Sequence, residues 1–205
     1  MIAPKQNRLF IHIPKCGGSS IAAGLFKKEN IHFRSYFNLN KNQHEKYMTN
    51  HHEKHATASY YSKKLESFND YYKFTVIRNP WERAMSAYEW HRLHGGRGDL
   101  GLEKFISFME KQEHHQVKPI VHFVKENDKV IVDDIFDFAQ LDKVFDKLGL
   151  QNFHKKRRNS KRHFDELNDT QLDKFNEVVN KLYKDDIEFF GFKKFEPATK
   201  NVTKL

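Results

Sequence analysis

Two apolar segments that run directly into helix-like stretches constrain the fold more than any other feature of the sequence. The first is Arg8–Ile13, and the stretch Ser19–Lys28 after it carries apolar residues along one side. The second is Tyr72–Ile77, which leads to Asn79, a residue that can cap a helix, and Pro80, which suits a first helical position. Buried strands that alternate with helices are typical of an α/β layer fold.

Three more segments extend this alternation. A third strand is predicted within Lys129–Phe138, a helix over Leu141–Leu148 is stopped by Gly149, and a long last helix is predicted over Asp169–Phe189. The spacing of Tyr61, Leu65 and Phe68 also predicts a helix within 55–68. We therefore predict a P-loop-like, mostly parallel sheet flanked by helices, in one domain over 1–205.

Charge and cysteine content narrow the function classes. Lys and Arg number 36 and Asp and Glu 27, so the formal net charge is +9, which favours anionic partners such as nucleic acid, an anionic membrane, a phosphorylated cofactor or an acidic glycan. The single Cys16 excludes a disulfide framework and a cysteine-rich zinc site. We find neither an apolar run of about 18 residues nor the pattern of a signal peptide, and we expect a cytoplasmic protein without a transmembrane segment.

The turn after the first strand has the residue types of an anion cradle. Glycines let the backbone approach a ligand, and a helix N-terminus presents N–H groups and a positive dipole end. Its candidate residues are Lys15, Cys16, Gly17, Gly18, Ser19 and Ser20. This is not a Walker A loop, because Lys15 precedes the glycines. The alternative is an ordinary strand-to-helix turn with capping serines.

The turn after the second strand places Arg78 just before a helix N-terminus and Ser86 two turns along that helix. Such an arginine can hold a phosphate through paired charge-assisted hydrogen bonds. The alternative is that Arg78 pairs with an acidic side chain and Ser86 is a packing residue.

Two other features support competing interpretations. The 13 histidines include the pair His52 and His55 at a spacing found in metal sites, but cysteine ligands are scarce, and we predict no metal. The basic run Lys155–His163 could bind nucleic acid or be a solvated loop. Aromatic residues do not interleave with it, which weakens single-strand stacking. A basic nucleic-acid-binding or nucleotide-binding protein without catalysis is therefore the alternative function.

Taken together, the segments 10–20 and 74–88 resemble the carbohydrate sulfotransferases, the group that includes the heparan sulfate 2-O-sulfotransferases and bacterial relatives. The resemblance implies a single sulfotransferase domain. It also implies transfer of a sulfuryl group from 3′-phosphoadenosine 5′-phosphosulfate (PAPS) to a hydroxyl, with a glycan or glycolipid as the expected acceptor. Neither a metal nor a nucleic-acid partner is expected.

The resemblance also implies roles for single residues. His55 stands where the family carries its catalytic base, with His52 as the fallback, and Lys15 would neutralise the leaving phosphate oxygen. The other residues implied to bind the nucleotide are Cys16, Gly17, Gly18, Ser19 and Ser20 at the 5′-phosphate, Arg78 and Ser86 at the 3′-phosphate, and Arg158, Asn159 and Ser160 in a loop over the nucleotide.

The sequence departs from the family pattern at two places. Relatives often have an acidic residue before the helix at Leu141, but here Phe138, Ala139 and Gln140 stand there, and we assign them no role. Cys16 replaces a more common Thr, which removes a hydroxyl contact but not the backbone N–H groups. The acceptor is not evident from these motifs, and we expect segments 30–54 and 89–120 to build its pocket.

Overall fold

The structure of the chain is a computed structural model that describes residues 1–33, 35, 38–50, 52–94, 101–153 and 167–193. The chain divides into two compact units. The first comprises Met1–Arg78 and Gln112–Asn159, and the second comprises Asn79–Lys111 and Ser160–Leu205. The predicted single domain over 1–205 remains a prediction.

Strands and helices alternate along the described part of the chain. The strands are β1 (Ile2–Ala3), β2 (Arg8–Ile11), β3 (Tyr72–Ile77), β4 (Lys125–Glu126), β5 (Lys129–Val130) and β6 (Asp134–Asp137). The α-helices are α1 (Gly18–Lys28), α2 (Lys41–Tyr47), α3 (Ala58–Lys64), α4 (Pro80–His94), α5 (Leu102–Lys111), α6 (Ile120–Val124), α7 (Leu141–Lys147), α8 (Asp169–Leu182) and α9 (Lys184–Phe190).

The first unit is built on a four-stranded sheet of order β1-β2-β3-β6. β1 is antiparallel to β2, and the pairs β2–β3 and β3–β6 are parallel. The register pairs Ile11 with Thr75 and Ile77 with Asp137, so the carboxyl ends of these parallel strands meet at one edge of the sheet. The predicted mostly parallel α/β sheet is confirmed, and this edge is where such sheets bind ligands.

The core of the first unit joins the sheet to α1 and α7. Phe10 and Phe74 on neighbouring strands stack with ring centroids 5.1 Å apart. Helix α1 contributes Leu25 and Phe26, both without exposed surface, because its apolar residues fall on one side. Burial of each such side chain stabilises the fold by about 1.5–3 kcal/mol. This packing fixes the start of α1 at the end of β2.

The second unit is helical. Asn79 begins α4 as predicted, because its Oδ1 accepts a hydrogen bond from the Trp81 N–H at 2.9 Å. The Trp81 ring packs edge-on against Phe175 of α8, with centroids 6.0 Å apart, and its Nε1–H donates to Asn176 Oδ1. The Tyr88 ring on α4 lies 5.3 Å from Phe105 on α5. Trp81 and Tyr88, which lie on α4, are therefore packed against α8 and α5.

The structure gives three predicted elements their bounds. The third strand predicted within Lys129–Phe138 is β6, which joins the main sheet, and the same segment also contains β5, which turns back to pair with β4. The predicted last helix is two helices, α8 and α9, which break at the buried Tyr183. The predicted helix within 55–68 begins at Ala58, because Thr57 caps it by accepting from the Tyr60 N–H at 3.0 Å.

Candidate functional site

The turn between β2 and α1 has the backbone shape of an anion-binding loop. Lys15 and Gly17 both have left-handed φ values, 66° and 78°, and they flank Cys16. Gly18 then starts α1, whose first N–H groups have no acceptor within the helix. Left-handed residues next to the N-terminus of a helix can turn neighbouring N–H groups toward one side, where an anion could accept them.

Both glycines of the turn are required by their neighbours. A Cβ on Gly18 would lie 2.0 Å from the Cδ2 and Nε2 atoms of His12, and a Cβ on Gly17 would lie 2.9 Å from Cε2 of Phe138. Real Cβ atoms essentially never approach other atoms this closely. The turn is therefore held between the His12 ring and the Phe138 ring.

The side chains of the turn differ in their surroundings. Cys16 is 1% exposed, and its Sγ–H donates to the Pro14 carbonyl at 3.6 Å, so the thiol points into the protein. Ser19 is exposed, whereas Ser20 and Lys15 are half-buried. The backbone N–H of Ser20 donates to the Gly17 carbonyl at 3.0 Å. An anion at this turn would meet mainly backbone donors and the Lys15 charge.

His55 lies beside the same turn, in the loop that precedes α3. Its Nδ1 is 2.8 Å from the backbone carbonyl oxygen of His12. A carbonyl can only accept, so Nδ1 carries the proton and Nε2 keeps its lone pair. Burial lowers the pKa of His55 to about 3, the hydrogen bond to His12 opposes this, and the charges of His115 and Lys54 add to the lowering. His55 is therefore neutral at pH 7.

Four imidazole rings form a row that starts at the turn. The His12 and His55 centroids are 4.4 Å apart, His55 and His115 stack at 4.7 Å with 19° between their planes, and His115 lies 4.0 Å from His114. His12 is 4% exposed, and burial lowers its pKa well below 6.5. His55 is thus contacted on one side by His12, which precedes the turn of residues 15–20 (called the anion turn below), and on the other side by His115.

Arg78 reaches the turn from the end of β3. Its Nη1 donates to the Lys15 carbonyl oxygen at 3.4 Å, and its guanidinium carbon lies 4.4 Å from the centroid of the Phe138 ring. Arg78 and the turn after β2 therefore lie together at the carboxyl edge of the sheet. Lys15, Gly17, Gly18, His55 and Arg78 all belong to the first unit.

The roles of the remaining predicted residues stay predictions. Ser86 is half-buried on α4 of the second unit, and its role as a phosphate ligand stays a prediction. His52 is exposed, with its backbone N–H donating to Asn50 Oδ1 at 3.0 Å. Arg158, Asn159 and Ser160 lie outside the described residues.

Metal clusters and membrane-spanning helices are both absent from the described ranges. Among those residues, three or more His, Cys, Asp or Glu side chains do not come together as a metal site. Within the same ranges, every helix is too short or too polar to cross a membrane.

The sequence analysis missed three residues at this edge, namely His12, His115 and Phe138. His12 sits in the predicted first strand, and the signal that could have marked it is a histidine within an otherwise apolar segment that leads directly into the glycine turn. Nothing local marks His115 or Phe138, because each reaches the turn only through the folding of distant segments.

Comparison with known proteins assigns the family. The model of the family described as the Sulfotransferase family matches residues 1–193, so the chain belongs to the sulfotransferase family. Members of this family transfer a sulfuryl group, a reaction that needs a hydroxyl-bearing acceptor. No curated protein and no solved structure matches the chain.

Proposed function

We propose that this chain transfers a sulfuryl group from PAPS to a hydroxyl of a carbohydrate, with His55 as the general base. One observation carries the proposal. The hydrogen bond of 2.8 Å from His55 Nδ1 to the His12 carbonyl leaves Nε2 as a proton acceptor, beside the turn whose backbone suits an anion. A base next to an anion site is the arrangement that sulfuryl transfer to a hydroxyl needs.

The residues at the turn fit the two phosphate groups of such a donor. The 5′-phosphate would be held by backbone N–H groups at the start of α1, by the Ser19 and Ser20 hydroxyls and by the Lys15 charge. Arg78 would hold the 3′-phosphate, because its guanidinium is anchored on the Phe138 ring and lies near the turn. Ser86, Arg158, Asn159 and Ser160 are proposed as further nucleotide contacts from the sequence resemblance alone.

In the proposed reaction, each residue acts on one group. When bound, PAPS would supply a sulfuryl group attached to a good phosphate leaving group. His55 Nε2 takes the proton of the acceptor hydroxyl as that oxygen forms its bond to sulfur. Lys15 and the α1 N-terminus stabilise the charge on the phosphate oxygen as its bond to sulfur breaks. The His115 ring stacks on the His55 ring, which supports His115 as part of the acceptor pocket.

The low pKa of His55 is compatible with this role. Burial is the largest cause of the lowered pKa. A negative charge brought near a histidine has the opposite effect and raises its pKa. A bound anionic nucleotide would therefore raise the pKa of His55 and make it a stronger base.

The test begins with binding and continues with transfer. Calorimetry compares 3′-phosphoadenosine 5′-phosphate (PAP) with AMP, which lacks only the 3′-phosphate, and we expect tighter binding of PAP. Transfer from radiolabelled PAPS is then assayed on a panel of glycans and phenols. His55→Ala should lower turnover about 10²- to 10⁴-fold while PAP affinity stays within a few-fold. Lys15→Ala should lower both.

His52→Ala is the matched control, because His52 is close along the chain but exposed. It should leave turnover unchanged. Near-normal turnover of His55→Ala, or a large loss in His52→Ala, contradicts the assignment of the base. Binding of PAP without transfer to any acceptor would favour the nucleotide-binding protein without catalysis. Tight, salt-dependent binding of RNA or DNA with no nucleotide preference would favour the nucleic-acid alternative.

A further inference from the structure

Phe138 and Arg78 are neighbours because of the sheet register. Ile77 and Asp137 are paired at the ends of the parallel strands β3 and β6, so Arg78 and Phe138 are the first residues beyond those ends. The structure puts the Arg78 guanidinium carbon 4.4 Å from the Phe138 ring centroid. This distance is within the range of a cation–π contact.

The same ring also touches the anion turn. A Cβ on Gly17 would lie 2.9 Å from Cε2 and 3.1 Å from Cδ2 of Phe138. The backbone that carries the ring is ordered by a cap, because Asp137 Oδ1 accepts a hydrogen bond from the Ala139 N–H at 2.8 Å at the start of the short 3-10 helix 138–140. Phe138 therefore contacts both Gly17 and Arg78 with one aromatic ring.

We propose that Phe138 is a positioning residue that holds the Arg78 guanidinium against the anion turn and thereby sets the preference for a nucleotide with a phosphate at both its 3′ and 5′ positions. This inference rests on the proposed function, in which Arg78 binds the 3′-phosphate. It gives a role to Phe138, to which the sequence analysis assigned none.

Stacking and phosphate binding use different parts of the guanidinium. A cation–π contact uses the charge of the guanidinium and not a particular N–H group, and an arginine has five N–H donors, of which a phosphate can accept two. Arginine also loses much rotamer freedom when it binds a ligand, and a stacked arginine has lost part of it beforehand. A carboxylate at the position of Phe138 would instead compete with the phosphate for the same N–H groups.

The experiment compares PAP and AMP binding by calorimetry in the wild-type chain, Phe138→Leu, Phe138→Tyr and Arg78→Ala. We expect Phe138→Leu to weaken PAP binding about fivefold to tenfold, the scale of a desolvated cation–π contact, with AMP binding changed less than about twofold. Phe138→Tyr keeps the ring and should keep the wild-type preference. In Arg78→Ala the preference for PAP should be gone, and adding Phe138→Leu should then lower PAP affinity no further.

Each outcome separates this inference from the proposed function. A full preference for PAP in Phe138→Leu overturns the role of Phe138 and leaves the proposed function intact. An equal loss of PAP and AMP binding in Phe138→Leu also overturns it, since the ring would then only support Gly17. A wild-type chain without preference for PAP, or an Arg78→Ala chain that keeps it, refutes Arg78 as the 3′-phosphate ligand before Phe138 is considered.

Discussion

Replacement of Gly18 by alanine tests the packing that joins the anion turn to the base candidate. Gly18 does not have a left-handed φ, so its backbone conformation is open to alanine. The added Cβ, however, would lie 2.0 Å from two atoms of the His12 ring and 2.9 Å from a third. Carbon atoms in contact are normally about 3.5–4.0 Å apart, so the ring would have to move by about 1.5 Å.

The His12 ring has little room to move. It is 4% exposed, it stacks on Phe10 with centroids 5.4 Å apart, and it contacts the His55 ring at 4.4 Å. Overpacking at such a site costs about 1–3 kcal/mol, whereas a glycine-to-alanine change at a compatible backbone gains about 0.4–1 kcal/mol. We therefore expect Gly18→Ala to lower the free energy of unfolding by about 1–2 kcal/mol.

Urea unfolding of a four-member mutant cycle measures the effect. His12→Ala alone should cost about 2–4 kcal/mol, as for truncation of other large buried side chains. In the His12→Ala background, Gly18→Ala meets no ring and should be neutral or slightly stabilising, so the two changes should be coupled by about 1–3 kcal/mol. A Gly18→Ala chain as stable as the wild type, or the same cost in both backgrounds, would refute the packing argument.

Further predictions concern protonation and one buried hydrogen bond. Because the pKa of His55 is lowered to about 3, the folded chain binds fewer protons than the unfolded chain between there and about pH 6.5, and stability should fall on acidification by up to ~1.4 kcal/mol per pH unit for this group. His55→Gln should show a shallower loss in urea unfolding, and equal slopes would contradict the assignment. His115→Phe keeps a ring on His55 but removes its charge, so imidazole NMR should show the pKa of His55 rising. Asn176→Ala leaves the buried Trp81 Nε1–H without its acceptor and should cost about 1–3 kcal/mol, measured by urea unfolding.

Local sequence signals were sufficient for the elements that build the carboxyl edge of the sheet. β3 occupies the predicted residues Tyr72–Ile77, in which Phe74, Val76 and Ile77 supply the β-branched and aromatic side chains that favour a buried strand. The start of α4 was predictable since Asn79 and Pro80 act through their immediate neighbours. The turn between β2 and α1 was predictable in position for the same reason, since two glycines separate a strand from a helix there.

Long-range pairing was not predictable from these signals. The residues around β6 do not indicate whether β6 pairs with β3 or with β5. The pairing with β3 is what brings Phe138 to Arg78. The contact between His55 and His115 likewise depends on how two loops meet. The break between α8 and α9 was missed because the apolar spacing continues through Tyr183, although the backbone there leaves the helical conformation.

The position of His12 has a consequence for how the site would work under the proposed function. Its ring packs against Gly18 of the anion turn, and its carbonyl accepts the Nδ1–H of His55. One residue at the end of β2 therefore fixes both the donor site and the tautomer of the base. A buried neutral imidazole is a weak base on its own, but an anion held at the turn stabilises its protonated form. The base would then gain proton affinity only when the sulfuryl donor is in place, which couples proton removal from the acceptor to the presence of the group that the acceptor receives.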